Sequence, residues 1–171
     1  GAVEHMAVRG MDRMKFSWVS NGIALEEVEN SEPMDPGFAA QIPREGLRIV
    51  YAGTLGAANA LDTLIDAAAL LQDLPDISIL LVGDGRARAD LEKRRDALGL
   101  RNVVFLGSVP KRQVQSVLAA CDVCYIGLTA DPLFRFGVSP NKLFDYFASG
   151  KPVLYAIESG KFKPVERSNA G

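Results

Sequence analysis

Lys142 and Asp145 are the residues whose types and spacing suggest chemistry. They lie in Gly137-Val138-Ser139-Pro140-Asn141-Lys142-Leu143-Phe144-Asp145-Tyr146-Phe147-Ala148-Ser149-Gly150-Lys151-Pro152, a polar loop running into a helix. Asp145 falls one helical turn beyond Lys142, so both serve the same end of the helix. An ammonium there meets an anion, and a carboxylate accepts hydrogen bonds from hydroxyls. The pair therefore suits a phosphate next to a sugar ring. The first turn of a helix also leaves N–H groups unpaired and carries roughly half a unit of positive charge. Dipole considerations alone would favour an acid in that turn. A lysine makes sense if an anion sits between it and the helix end. An ordinary capped helix with a surface lysine has the same local pattern, so the rest of the chain has to decide.

The elements that must position this pair follow a rhythm. Ser139 is expected as the N-cap and Pro140 in the first turn, where its missing N–H costs nothing. Leu143, Phe144, Phe147 and Ala148 recur at helical spacing, and Gly150 ends the helix. An apolar strand over 153–157 follows. Upstream, apolar strands are expected over 48–53, 77–82, 103–106 and 123–128. Helical faces lie between them: Leu61, Leu64, Ile65, Ala68 and Leu71, then 86–98, then a helix opened by Pro110. This alternation predicts an α/β fold, a Rossmann-like parallel sheet with helices on both faces. In such sheets ligands sit outside the carboxyl ends of the strands. The loops there are 53–56, 83–86, 107–110, 128–142 and 158–161. Most are rich in glycine, which lets backbone approach a ligand.

Composition limits the partners. With 171 residues the chain can bury one real core. Nineteen Lys and Arg against 21 Asp and Glu give a net charge of −2, which argues against a nucleic-acid face. No apolar run reaches the length of a membrane span, and no signal peptide is visible. Cys121 and Cys124 form a C-x-x-C that ends a helix instead of opening one, so they are expected as core thiols of a cytoplasmic protein, on opposite faces of a strand. His5 has no Cys or His around it. No Asp-x-Asp pair and no cluster with ligand spacing occurs, so no metal is expected. The run Gly-Asp-Gly-Arg-Ala-Arg at 83–88 lacks the third glycine of a dinucleotide fingerprint. Residues 1–46 are expected as an N-terminal strand (16–19) and an acidic linker (26–37), and 47–171 as the binding domain.

Taken in one order from about residue 16, these segments resemble family 4 glycosyltransferases of the GT-B fold. The donor-binding segment is Ser139-Pro140-Asn141-Lys142, Asp145 and Gly150-Lys151-Pro152-Val153. Leu81-Val82-Gly83-Asp84-Gly85 is similar as well, as are Asn102-Val103-Val104-Phe105-Leu106-Gly107 and Tyr51-Ala52-Gly53-Thr54-Leu55-Gly56. Val19-Ser20-Asn21-Gly22-Ile23 looks like the segment leaving an N-terminal domain. Among the family's members, the bacterial enzymes that build surface polysaccharides are the most similar.

The resemblance implies the C-terminal, nucleotide-sugar-binding half of a GT-B fold, acting in a retaining transfer from a donor such as a UDP-sugar. The acceptor, a growing polysaccharide or a lipid-linked saccharide, would meet an N-terminal domain that this chain lacks. The whole enzyme would work in the cytoplasm or at the inner face of the membrane. The run Pro164 to Gly171 looks like the helix and glycine after which the family adds further elements, so a truncated fragment is expected. No cofactor is implied beyond the donor itself. Two departures stand out. The family's two glutamates, eight apart, fall on Gly137 and Asp145. The Arg and Lys that many members carry after the first strand are absent. Lys142, the catalytic candidate, then meets the diphosphate with the helix end of Ser139, Pro140 and Asn141, and with Arg135. Gly53, Thr54, Leu55, Gly56 and Gly83 bring backbone to phosphate or sugar, the Gly107 to Val109 region edges the base, and Asp145 accepts from the ribose. Gly137 and Val138 complete the loop. The alternatives are a nucleotide-binding regulatory or scaffold module without chemistry, and an epimerase of the same architecture.

Overall fold

Strand β1 (Leu47–Ala52) is apolar on both sides and therefore needs cover on both. It takes the middle of a five-stranded sheet with β2 (Ile77–Val82), β3 (Val103–Leu106), β4 (Val123–Gly127) and β5 (Val153–Ala156). The order is β3-β2-β1-β4-β5, and every pairing is parallel. The computed structural model describes residues 2–17, 19, 21–132, 134, 138–158 and 163–171. The expected α/β sheet is the one observed.

Alternation along β1 divides the core. Ile49 and Tyr51 face a cluster completed by Leu61, Leu64 and Ile65 of α4 (Leu61–Leu70) and by Leu91 of α5 (Arg88–Ala97). Val50 and Ala52 face the other cluster. That one holds Val117 and Leu118 of α6 (Val114–Ala119), Leu143 and Tyr146 of α7 (Asn141–Ser149), and Val165 of α8 (Pro164–Ser168). The chain order reverses between β1 and β4, which is where such sheets open a crevice. At the opposite pole Arg48 grips Asp122 in a two-pronged ion pair, with Nε 2.9 Å from Oδ2 and Nη2 3.1 Å from Oδ1. The guanidinium holds the Asp122 carboxyl below its usual range. This clamp ties β1 to β4 at the end away from the crevice.

The N-terminal reading needs correction. Residues 16, 17 and 19 join no ladder. Phe16 is extended but finds no partner strand, and residues 18 and 20 lie outside the described residues. The segment carries the short helices α1 (Ala2–Ala7), α2 (Leu25–Glu29) and α3 (Pro36–Ala39). The expected solvated linker is therefore partly folded. The Asp35 carboxylate accepts from the N–H groups of Gly37 (2.8 Å) and Phe38 (3.1 Å), and Pro36 supplies a preset φ at the helix start. Phe38, Met34 and the buried Ile42 pack on the core. No helix among the described residues is long and apolar enough to cross a membrane.

Cys121 and Cys124 are both free and fully buried, in one cluster rather than on opposite faces. Strand alternation does not apply to Cys121, because it precedes the first residue of β4. Burial pushes the Cys121 thiol up to about 12 and Cys124 to about 11. A thiol-specific reagent at pH 8 is expected to label neither in the native chain and both after denaturation. Rapid native labelling would contradict this burial.

Candidate active site

Three loops at the carboxyl ends of the strands and the start of α7 enclose a cleft of about 540 Å³. Gly53, Thr54 and Asn59 come from the loop after β1, and Gly83 and Asp84 from the loop after β2. Ser108, Val109 and Lys111 come from the loop after β3, and Lys142 and Asp145 from α7.

The first two loops can run side by side because Gly83 has no side chain at the point of contact. Gly83 has φ +135°, and a Cβ on it would lie 2.0 Å from the Gly53 carbonyl oxygen. Gly53 has φ +148°, and a Cβ there would meet Lys142 Cε at 3.1 Å. The space that Gly53 leaves open is thus taken by the lysine stem.

Lys142 turns from α7 across the end of β1. Its Nζ donates to the Tyr51 hydroxyl at 2.7 Å and to Asn59 Oδ1 at 3.0 Å. It also stands 4.3 Å from the centroid of the Tyr51 ring. Among the described residues no carboxylate pairs with it. Burial without such a partner lowers its pKa to about 8. The result is an ammonium in the cleft that no carboxylate among the described residues pairs with. Asp145 lies in the same cleft, but its carboxylate pairs with Lys111. A ligand hydroxyl would have to displace that lysine or share the acid with it.

Of the residues expected around the site, Gly53, Thr54, Gly83, Lys142 and Asp145 line the cleft. Others do not. Leu55 is fully buried in the core. The N–H groups of Gly53, Leu55 and Gly56 are spent on Val82, Asp84 and Thr54 carbonyls, so they offer nothing to a phosphate. Of the Gly107 to Val109 region, Ser108 and Val109 line the cleft and Gly107 does not. Val138 packs against the core. Arg135 and Gly137 lie outside the described residues.

The helix tip also differs from expectation. Pro140, with ψ 123°, is the N-cap, and α7 begins at Asn141. Ser139 precedes the cap, and no side chain caps the helix. Its carbonyl accepts from Asn21 Nδ2 at 2.9 Å. Asn141 lines a neighbouring hollow of about 310 Å³ with Asn21, Gly22, Glu27, Lys111 and Asp145, and not the main cleft.

Sequence reasoning missed Tyr51, Asn59, Asp84 and Lys111. Asp84 sits in a loop already placed at the carboxyl ends, and Asn59 and Lys111 lie just past two others, so their polar heads were the available signal. Tyr51 gave none, because a tyrosine in an apolar strand reads as core.

Residues 46–164 match the family described as glycosyl transferases group 1. TuaH of Bacillus subtilis (strain 168), assigned as a teichuronic acid biosynthesis glycosyltransferase, is 29% identical over 142 residues, covering 83% of this chain and 34% of TuaH. WcaI of Escherichia coli (strain K12), assigned as a colanic acid biosynthesis glycosyl transferase, is 42% identical over 115 residues, 65% of this chain and 26% of WcaI. The chain thus spans about a third or less of these curated relatives. Among solved structures, Anabaena Alr3699/HepE, crystallised with UDP and glucose, aligns with a TM-score of 0.64 at 21% identity, over 90% of this chain and 41% of that one. WaaG, a glycosyltransferase involved in lipopolysaccharide biosynthesis, aligns with a TM-score of 0.62 at 19% identity, over 85% and 39%. At these identities the structural likeness is one of fold. The family match covers most of the chain and the whole sheet, and this chain belongs to the glycosyl transferases group 1 family.

Proposed function

We propose that this chain is the nucleotide-sugar-binding half of a retaining glycosyltransferase, and that the donor diphosphate binds in the cleft against Lys142. One observation carries the reading: an ammonium without a carboxylate partner among the described residues, fixed at the point where the strand order reverses. Breaking the anomeric C–O bond leaves negative charge on the departing diphosphate. A fixed cation there stabilises the transition state more than the ground state. Asp145 would release Lys111 and accept from the ribose hydroxyls, and Ser108 and Val109 would edge the base. We read the donor as bound without a metal ion.

HepE, which shares the fold, was crystallised with UDP, and this supports uridine as the base. The relatives TuaH and WcaI are assigned to polysaccharide synthesis. They support a saccharide or lipid-linked acceptor, met by parts of the protein outside this chain, in the cytoplasm or at the inner face of the membrane. Sugar contacts follow the same cleft.

A thermal-shift panel tests the reading. Saturating UDP is expected to raise the melting temperature, whereas ADP and NAD at equal concentration leave it unchanged. At a hundredfold excess over Kd the gain is about 2.7 kcal/mol, or about 5–10 °C for a domain of this size. No shift with any nucleoside diphosphate at millimolar concentration would overturn it.

A further inference from the structure

We propose that Tyr51 and Asn59 are positioning residues that hold two of the three Lys142 ammonium hydrogens on neutral oxygens and leave the third for an anion in the cleft. The inference rests on reading the cleft as an anion site, and deepens it.

The geometry is a closed ring of four groups. Lys142 Nζ donates to Tyr51 Oη at 2.7 Å and to Asn59 Oδ1 at 3.0 Å. The Tyr51 hydroxyl donates onward to the Thr54 carbonyl at 2.7 Å. Asn59 Nδ2 donates to that same carbonyl at 3.0 Å. Each link fixes the next. The Thr54 carbonyl accepts both, together with the Gly56 N–H at 3.0 Å. Tyr51 has one hydroxyl hydrogen and gives it to Thr54, so only its lone pairs can face the lysine. Asn59 turns its NH₂ to Thr54, so its oxygen must face the lysine. An ammonium has three donors and no acceptor, which leaves one N–H unspent among the described residues.

The ring is also rigid. Tyr51 is fully buried, in the same core cluster as the buried Tyr125 of β4. Gly53, lacking a side chain, lets the lysine stem lie flat against the loop. Every partner of Lys142 in the ring is uncharged, so its charge remains available. The other titratable groups of the cleft are Asp84, Lys111 and Asp145, and the last two pair with each other. A lysine merely buried by chance would not have both of its acceptors oriented by a single third group.

The experiment follows the Lys142 side-chain resonance by NMR in the ligand-free chain and titrates it with pH. Separately, calorimetry measures the affinity for inorganic pyrophosphate and for UDP. Asn59→Asp puts a carboxylate at the Oδ1 position with little change of shape. It is expected to raise the Lys142 titration midpoint by about 1–3 pH units and to weaken pyrophosphate about tenfold, because the lysine then has an internal anion. Tyr51→Phe keeps the aromatic side chain and removes the hydroxyl acceptor. It is expected to lower the midpoint, because the ammonium loses a hydrogen bond that favours its charged form. Opposite movements in the two variants support the positioning role. An unmoved midpoint in either folded variant overturns it, whatever the nucleotide result. Movement as expected, with no binding of pyrophosphate or UDP by the unsubstituted chain, supports the positioning and overturns the diphosphate reading.

Discussion

Replacing Lys142 with alanine is expected to weaken UDP binding by about 10- to 150-fold, because a hydrogen bond to a charged group contributes on the order of 1.5–3 kcal/mol. The high end is favoured by two features. The ammonium is half-buried, so water competes weakly for the anion, and its direction is set before the ligand arrives. Lys142→Met, which keeps the stem, should lose the same affinity, and calorimetry on both variants separates charge from shape. Neither variant should melt lower than the parent, because each removes a desolvated charge that no carboxylate offsets among the described residues. Equal affinity in parent and variants would remove the phosphate role.

The same lysine dictates a pH dependence. Its pKa falls from 10.5 to about 8 on folding. Below pH 8 it is charged in both folded and unfolded states. Between about 8 and 10.5 the unfolded chain holds the proton and the folded chain does not, so this group's contribution to stability rises with pH across that window. Diphosphate binding runs the other way. It needs the charged form, so affinity is expected to be full near pH 7 and to fall as pH rises through about 8. Calorimetry at pH 7 and pH 9 reads this directly, and a flat profile would mean that the ammonium is not in contact with the ligand.

Gly83→Ala is expected to destabilise the fold by about 3–5 kcal/mol, since a positive φ strains the new residue and its Cβ strikes backbone. The Cβ would fall 2.0 Å from the Gly53 oxygen and 3.0 Å from the Gly53 carbonyl carbon, at φ +135°. Rotating a side chain cannot relieve a clash between two main chains, so the loops after β1 and β2 must part. That movement also disturbs Lys142, whose stem lies against Gly53. A fall in melting temperature on the order of 10 °C by circular dichroism would match this cost. Gly107→Ala serves as the control. A Cβ there meets nothing within 4 Å, so its effect should stay within about 0.5 kcal/mol. Similar melting of the two variants would show that the contact between the loops is not tight.

Sequence periodicity alone was enough for the α/β class, the five strands to within a residue or two, and the presence of Lys142 and Asp145 on one helix beside a sheet opening. These are local properties: strand and helix faces repeat every two or three to four residues, and glycine and proline mark their ends. Burial of both cysteines followed from the same logic. Tertiary structure alone decided who meets whom. Lys142 takes its acceptors from residues 91 and 83 positions away, and Asp145 is claimed by Lys111, 34 positions away. It also decided that the backbone N–H groups after β1 are spent on neighbouring carbonyls, that Phe38 and Ile42 of the supposed linker pack into the core, and that the tip of α7 turns to a second hollow. The physical reason is the same in each case. A hydrogen bond or an ion pair between distant segments leaves no periodic trace along the chain, and its partner is chosen only when the sheet brings the ends of β1, β3 and α7 together.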